Sequence, residues 1–257
     1  MQLYQKSLVS ETHNRVSKSM TLNNMANLYY QKMDYKKAAA LWRRAFDRSP
    51  EIEFVQFRLA LALAKSGDLI EASTHLNTLV EKRPERVDYN FLKGSILLKQ
   101  KRYEQARSYF RRVLKQKPDS EKALVKMGVV LNLMEEYKRA ELFLKDAYIR
   151  APKDSSALLW LVATNLALAD TADVDHYLNK LIASVPVSQL KSILDGISDP
   201  DALTSSRREL LIPVIKGRLR KQFEALALPV DHRTGFAMYS DFSESDEIGQ
   251  DGFAIKP

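Results

Sequence analysis

Histidine is the side chain in this sequence best suited to acid–base or metal chemistry, and its four copies, His13, His75, His176 and His232, are scattered. None stands at a metal-ligand spacing or beside an evident carboxylate partner. The absence of cysteine removes disulfides, thiolate metal sites and cysteine nucleophiles. No glycine-rich phosphate loop or nucleophile elbow is present. The acidic pairs Glu135 with Glu136 and Asp173 with Asp175 read as solvated surface at or near turns. No catalytic residue, metal ligand or cofactor is assigned, and the chain reads as non-enzymatic. Charge offers a second kind of chemistry, because the isoelectric point is near 9.4 and basic pairs recur at Lys36 and Lys37, Arg43 and Arg44, and Arg111 and Arg112, with more from Arg218 to Lys221. Such clusters can neutralise phosphates. Without a stripe of stacking aromatics beside them, nucleic acid stays the lesser reading.

The elements that carry these side chains are set by a strict spacing. Pro50, Pro84, Pro118, Pro152 and Pro186 recur at one unvarying interval, every thirty-fourth position. Proline lacks a backbone donor and clashes with the preceding turn, so each ends a helix at one point of a repeating unit. Twelve positions before each proline is a small or β-branched residue, Ala38, Ala72, Ala106, Ala140 or Val174. One helical turn later comes a large apolar one, Trp42, Leu76, Phe110, Leu144 or Leu178. Met25, Leu59, Gly94, Met127 and Leu161 mark another helix in or next to the matching slot of each unit's first half. The unit is a helical hairpin. A composition of 45% hydrophobic and 28% charged residues with eight glycines suits amphipathic helices rather than sheets.

These residues resemble the tetratricopeptide repeat, a 34-residue helical hairpin. The first repeat shows Leu22, Met25, Ala26, Tyr29, Ala38, Trp42, Ala45 and Pro50; the third shows Gly94, Leu97, Ala106, Phe110, Val113 and Pro118. The fourth shows Met127, Gly128, Leu131, Ala140, Leu144, Ala147 and Pro152. Departures are Lys93, where leucine is usual, and Val162, Asn165 and Val174 in the fifth repeat. The resemblance implies an all-α, right-handed superhelical solenoid. Its five repeats span 19–52, 53–86, 87–120, 121–154 and 155–186, as one array rather than two domains.

Outside the array, residues 1–18 read as an N-terminal capping helix or half repeat, with Tyr4 and Leu8 in second-helix slots. After Pro186 the register fails, and residues 187–228 read as C-terminal capping helices. Residues 229–257 read as an acidic, largely disordered tail. With six acidic and two basic residues the tail carries −4, so residues 1–228 hold +12 of a chain whose total is +8. Phe236, Met238, Tyr239, Phe242 and Phe253 punctuate it. No run of about 18 apolar residues exists and the start lacks a signal-peptide core. The expected location is cytoplasmic, or that of a soluble domain of a membrane-associated protein, with membrane association only through a partner or a segment upstream.

Proteins of this family bind partners on a concave surface lined by the first helix of each hairpin, and the resemblance places the groove at Asn23, Asn27, Tyr30, Phe54, Phe57, Leu61, Lys65, Phe91, Lys99, Lys122, Val125 and Lys126. A clamp for a chaperone's terminal carboxylate is absent, because Asn23, Asn27, Arg58, Asp88 and Leu92 occupy its slots. Phe54, Phe57, Leu61, Phe91 and Val125 should form an apolar floor flanked by lysines. That chemistry fits another protein or peptide bearing acidic residues beside apolar anchors, or the chain's own tail bound intramolecularly. The function expected is that of an adaptor or assembly scaffold. The alternatives are the repeat region of a larger membrane-associated protein in cell-envelope or polysaccharide assembly, and a basic repeat protein that binds nucleic acid.

Overall fold

A computed structural model describes residues 2–184, which form ten α-helices: α1 (Gln2–Gln31), α2 (Tyr35–Arg48), α3 (Glu53–Ser66), α4 (Leu69–Lys82), α5 (Val87–Lys99), α6 (Tyr103–Gln116), α7 (Glu121–Leu133), α8 (Tyr137–Arg150), α9 (Ser155–Ala167) and α10 (Thr171–Ser184). Pro186, the capping helices expected at 187–228 and the acidic segment 229–257 lie outside the described residues. The chain divides inside α6 into two compact units, Met1–Arg112 and Val113–Pro257. In the first, α1 packs on α2, α3 on α4, and each next hairpin begins against the previous one, α2 on α3 and α4 on α5. In the second, α7 packs on α8, α8 on α9 and α9 on α10.

The first helix differs from expectation. Residues 2–18, expected as a capping helix or half repeat, run without a break into the first helix of the first repeat, within the single helix α1. Neither glycine nor proline occurs before Pro50, so no residue there interrupts the helix.

Both turns of the repeat have defined chemistry. Between first and second helices, Met33, Gly67, Lys101, Glu135 and Ala169 all take positive φ, from 58° to 94°, and recur at the same interval as the prolines. At each, the left-handed residue's N–H bonds the carbonyl three residues back and the next N–H bonds the carbonyl five back, as Gly67 to Ala64 and Asp68 to Leu63 do. That is the Schellman closure of a helix. Three aspartates next in sequence cap the second helix: Asp34 accepts from the Lys37 N–H, Asp68 from Glu71 and Asp170 from Asp173. Of the five, Gly67 alone avoids the cost of a side chain in that conformation. The repeat prolines sit one residue further from the helix end than a simple breaker would. Pro50, Pro84, Pro118 and Pro152 are second residues of turns closed by the bonds Ile52 N to Ser49 O, Arg86 to Arg83, Ser120 to Lys117 and Asp154 to Ala151.

Packing within a hairpin depends on residues without side chains. A Cβ added to Gly128 would lie 2.5 Å from Leu144 Cγ, and one added to Gly94 would lie 2.9 Å from the Phe110 ring. Leu144 and Phe110 are fully buried, so neither can step aside. Lys93 departs from this apolar pattern, because it is only 5% exposed and its Nζ donates to Ser73 Oγ on α4. Burial, with a smaller contribution from Arg102, holds its pKa below the ordinary lysine value.

Three outcomes are expected. Gly128→Ala should destabilise by about 1–3 kcal/mol through overpacking, read by thermal or denaturant unfolding. Met33→Gly and Ala169→Gly should each gain up to about 1 kcal/mol by relieving the left-handed conformation; a loss at both would show that the turn geometry is misassigned. Lys93→Met should raise stability by about 1 kcal/mol or more, since it removes a buried charge whose hydrogen-bond partner is a neutral hydroxyl. Because the folded-state pKa is the lower one, that advantage should shrink as pH rises through the folded pKa, where wild type sheds its buried proton.

Candidate functional site

After α1, the first helices form the more buried layer of each unit. Nine residues of α3 are buried against four of α4, and nine of α7 against three of α8. Neighbouring first helices also touch directly, α3 against α5 in residues 1–112 and α7 against α9 in residues 113–257. A residue on α3, α5, α7 or α9 therefore keeps solvent access only along a narrow strip. Each expected groove residue is placed by that constraint.

In the first unit the apolar floor is largely closed. Phe57 is 6% and Leu61 4% exposed, and the Phe57 ring stacks on Tyr89 at 5.1 Å between centroids. The neighbouring first helix α5, which bears Tyr89, takes up the surface that a ligand was expected to meet. Phe91 is half-buried with its ring edge-on to Phe110, at 5.7 Å. Phe54 at the start of α3 keeps 40% exposure. Asn23 is also buried, because its Oδ1 accepts the Trp42 indole N–H at 2.9 Å, a bond that ties α1 to α2. Asn27, Tyr30, Lys65 and Lys99 remain partly exposed. In the second unit Val125 is 7% exposed, whereas Lys122 and Lys126 are partly exposed on α7.

The accessible residues of the first unit form a connected set. Tyr30 packs against Trp42 and Tyr35, with ring centroids 5.6 and 5.2 Å apart, and Lys65 Nζ stands 5.4 Å from the Tyr35 ring. An open cavity of about 440 Å³ adjoins it, lined by Lys32, Met33, Asp34, Tyr35, Lys36 and Ser66. Phe54, Arg58 and Lys65 share one face of α3 at spacings of four and seven. Arg58 was noted in the sequence only as a departure from the carboxylate clamp. It donates from Nη1 to Asn27 Oδ1 at 2.6 Å, and burial pulls its pKa down against a smaller opposing effect of Tyr30. No sequence signal marked it, because its environment is made by the preceding repeat.

Elsewhere the polar groups serve packing. The second unit buries a chain in which Asn132 Nδ2 donates to Thr164 Oγ1 at 2.7 Å, and that hydroxyl donates to the Trp160 carbonyl at 2.6 Å. Contrary to the sequence reading, His75 has a carboxylate neighbour, Glu71 at 3.7 Å, but that carboxylate is held by the Arg43 guanidinium in a two-point contact of 3.0 and 2.5 Å. Burial depresses the pKa of His75, whose ring meets Phe46 edge-on at 5.1 Å. Among the described residues no group of three or more His, Asp or Glu could hold a metal ion, and no helix is long and apolar enough to cross a membrane.

Two family models, both described as tetratricopeptide repeat, match residues 57–121 and 97–163. Among solved structures, the type IV pilus biogenesis factor PilW is 20% identical, with 80% of this chain and 92% of PilW covered at a TM-score of 0.63. MamA from Desulfovibrio magneticus RS-1 is 18% identical over 65% of this chain and 94% of its own, at 0.60. YrrB, a tetratricopeptide repeat protein with an unusual peptide-binding site, is 17% identical over 64% and 85%, at 0.53. At these identities the likeness is one of fold, that of an all-α helical-repeat solenoid. With hairpins, turns and close-packed positions all recurring at the period of the prolines, residues 57–163 carry tetratricopeptide repeats.

Proposed function

We propose that this chain is a non-enzymatic protein-interaction module, acting as an adaptor or assembly scaffold, whose binding surface is the strip of first-helix residues left accessible in the first unit. The observation that carries this reading is the company kept by Phe54. A phenylalanine 40% exposed shares a helix face with Arg58 and Lys65, on a helix, α3, that otherwise buries its apolar side chains. An apolar anchor beside two cations is the complement of a peptide that places an aromatic or aliphatic residue near carboxylates. Preformed helices present it at little ordering cost. The unusual peptide-binding site named for YrrB agrees in kind, as a fold relative that binds a peptide.

Lys99 extends the basic edge of this surface in the first unit, and Lys122 with Lys126 offers a second basic strip on α7. Those charges would steer an acidic partner and contribute more to encounter rate than to final affinity. A nucleic-acid partner would instead be indifferent to Phe54 and strongly sensitive to salt.

Phe54→Asp should abolish capture of the native protein partner from lysate while helical content and the unfolding midpoint stay within experimental error of wild type. The surface charge change Lys99→Glu should weaken capture roughly tenfold or less, and more so at low ionic strength. Capture that survives Phe54→Asp but disappears on nuclease treatment would replace this reading with nucleic-acid binding.

A further inference from the structure

Several arginines of the described residues have carboxylates beside them. Arg43 holds Glu71, Arg83 holds Glu53, Arg86 holds Asp88, Arg139 holds Glu136 and Arg150 holds Asp146. Arg58 differs. It is half-buried on α3, and its hydrogen-bond partner is the neutral amide oxygen of Asn27, with no carboxylate paired to it among the described residues. A guanidinium stays charged in any such setting and has five donors, of which Asn27 takes one. Leaving a partly desolvated cation without an anion is costly, and an anion arriving there would recover that cost. The surroundings add shape to the demand, with Phe54 one turn before Arg58 and Lys65 two turns after it on the same face.

We propose that the stripe Phe54, Arg58 and Lys65 is the docking site of the chain's own acidic segment around Tyr239–Glu247, with Arg58 as its anchor. The match is one of charge and spacing. In that segment Tyr239 and Phe242 supply aromatic groups, and Asp241, Glu244, Asp246 and Glu247 supply carboxylates within five residues of Phe242. An aromatic side chain on the Phe54 end leaves a carboxylate two to five residues on to meet Arg58, and another to meet Lys65. The segment carries most of a tail whose net charge is −4, whereas the rest of the chain carries +12. Covalent attachment presents it to the stripe at an effective concentration that a free partner segment lacks. Docking would make the tail a competitor for the surface proposed above, so this inference rests on that reading and adds its regulation.

The chain has no cysteine, so a nitroxide can be placed on the full-length protein at Ser240→Cys alone. The amide resonances of Asn27 and Arg58 should lose most of their intensity relative to the chemically reduced label at low ionic strength, and recover it at high salt. Both Arg58→Gln and the triple tail variant Glu244→Lys, Asp246→Lys, Glu247→Lys should restore the intensity. The tail variant serves where Arg58→Gln perturbs the fold. Equal intensities with oxidised and reduced label in wild type would overturn the proposal, as would broadening that survives both variants. Broadening found only when isotope-labelled and nitroxide-bearing chains are mixed would assign the tail to a second copy and overturn the intramolecular assignment. Capture of a partner lost in Phe54→Asp but unchanged by the triple tail variant would leave the interaction reading standing while removing its regulation by the tail.

Discussion

The structure depends on how closely the two helices of a hairpin can approach. Gly94 faces the Phe110 ring and Gly128 faces Leu144 at distances that leave no room for a methyl group. A large side chain on the second helix thus fills the notch that a missing side chain leaves on the first. Ala26 and Ala60 hold the place of these glycines in the two earlier repeats, and both are fully buried. Once that contact is made, the first helix is enclosed by its own partner, by the second helix of the preceding hairpin and by the adjoining first helix. Its surface becomes scarce, and every solvent-accessible side chain on it stands where another molecule can reach.

The turns serve the same geometry. A left-handed residue at each first corner and a proline turn at each second corner bring the helices back on themselves while giving part of their end carbonyls a backbone partner. Four of the five left-handed positions carry side chains, so the array holds conformational strain that glycine would relieve. Lys93 is a second site of submaximal stability, with a charge where an apolar residue would pack. Stability below the optimum is common where nothing in function requires more.

Binding chemistry follows from what packing leaves uncovered. Phe57, Leu61 and Val125 fall at positions that the family's pattern assigns to a concave floor, yet each is buried. Asn23 is committed to the Trp42 indole. Phe54, Arg58 and Lys65 remain as a stripe that joins one apolar anchor to two cations, and the acidic ligand we propose for it is the one that would supply the carboxylate Arg58 lacks.

The sequence by itself determined the repeat. Prolines, small residues and large residues in register report local constraints, on helix termination and on helix approach, that act within a single hairpin and need no knowledge of its neighbours. For the same reason it placed the second helices and their buried faces correctly, Ala38, Trp42, Ala72 and Leu76 among them. It did not determine that α1 would run through residue 18, since no breaker there marked a boundary either way. Nor did it determine which groove residues stay accessible, or that Arg58 would meet an amide oxygen in place of a carboxylate. Only the tertiary structure decided those, because burial and charge pairing on a first helix depend on side chains of the adjoining repeat, distant in sequence and adjacent in space, as Asn27 and Arg58 are.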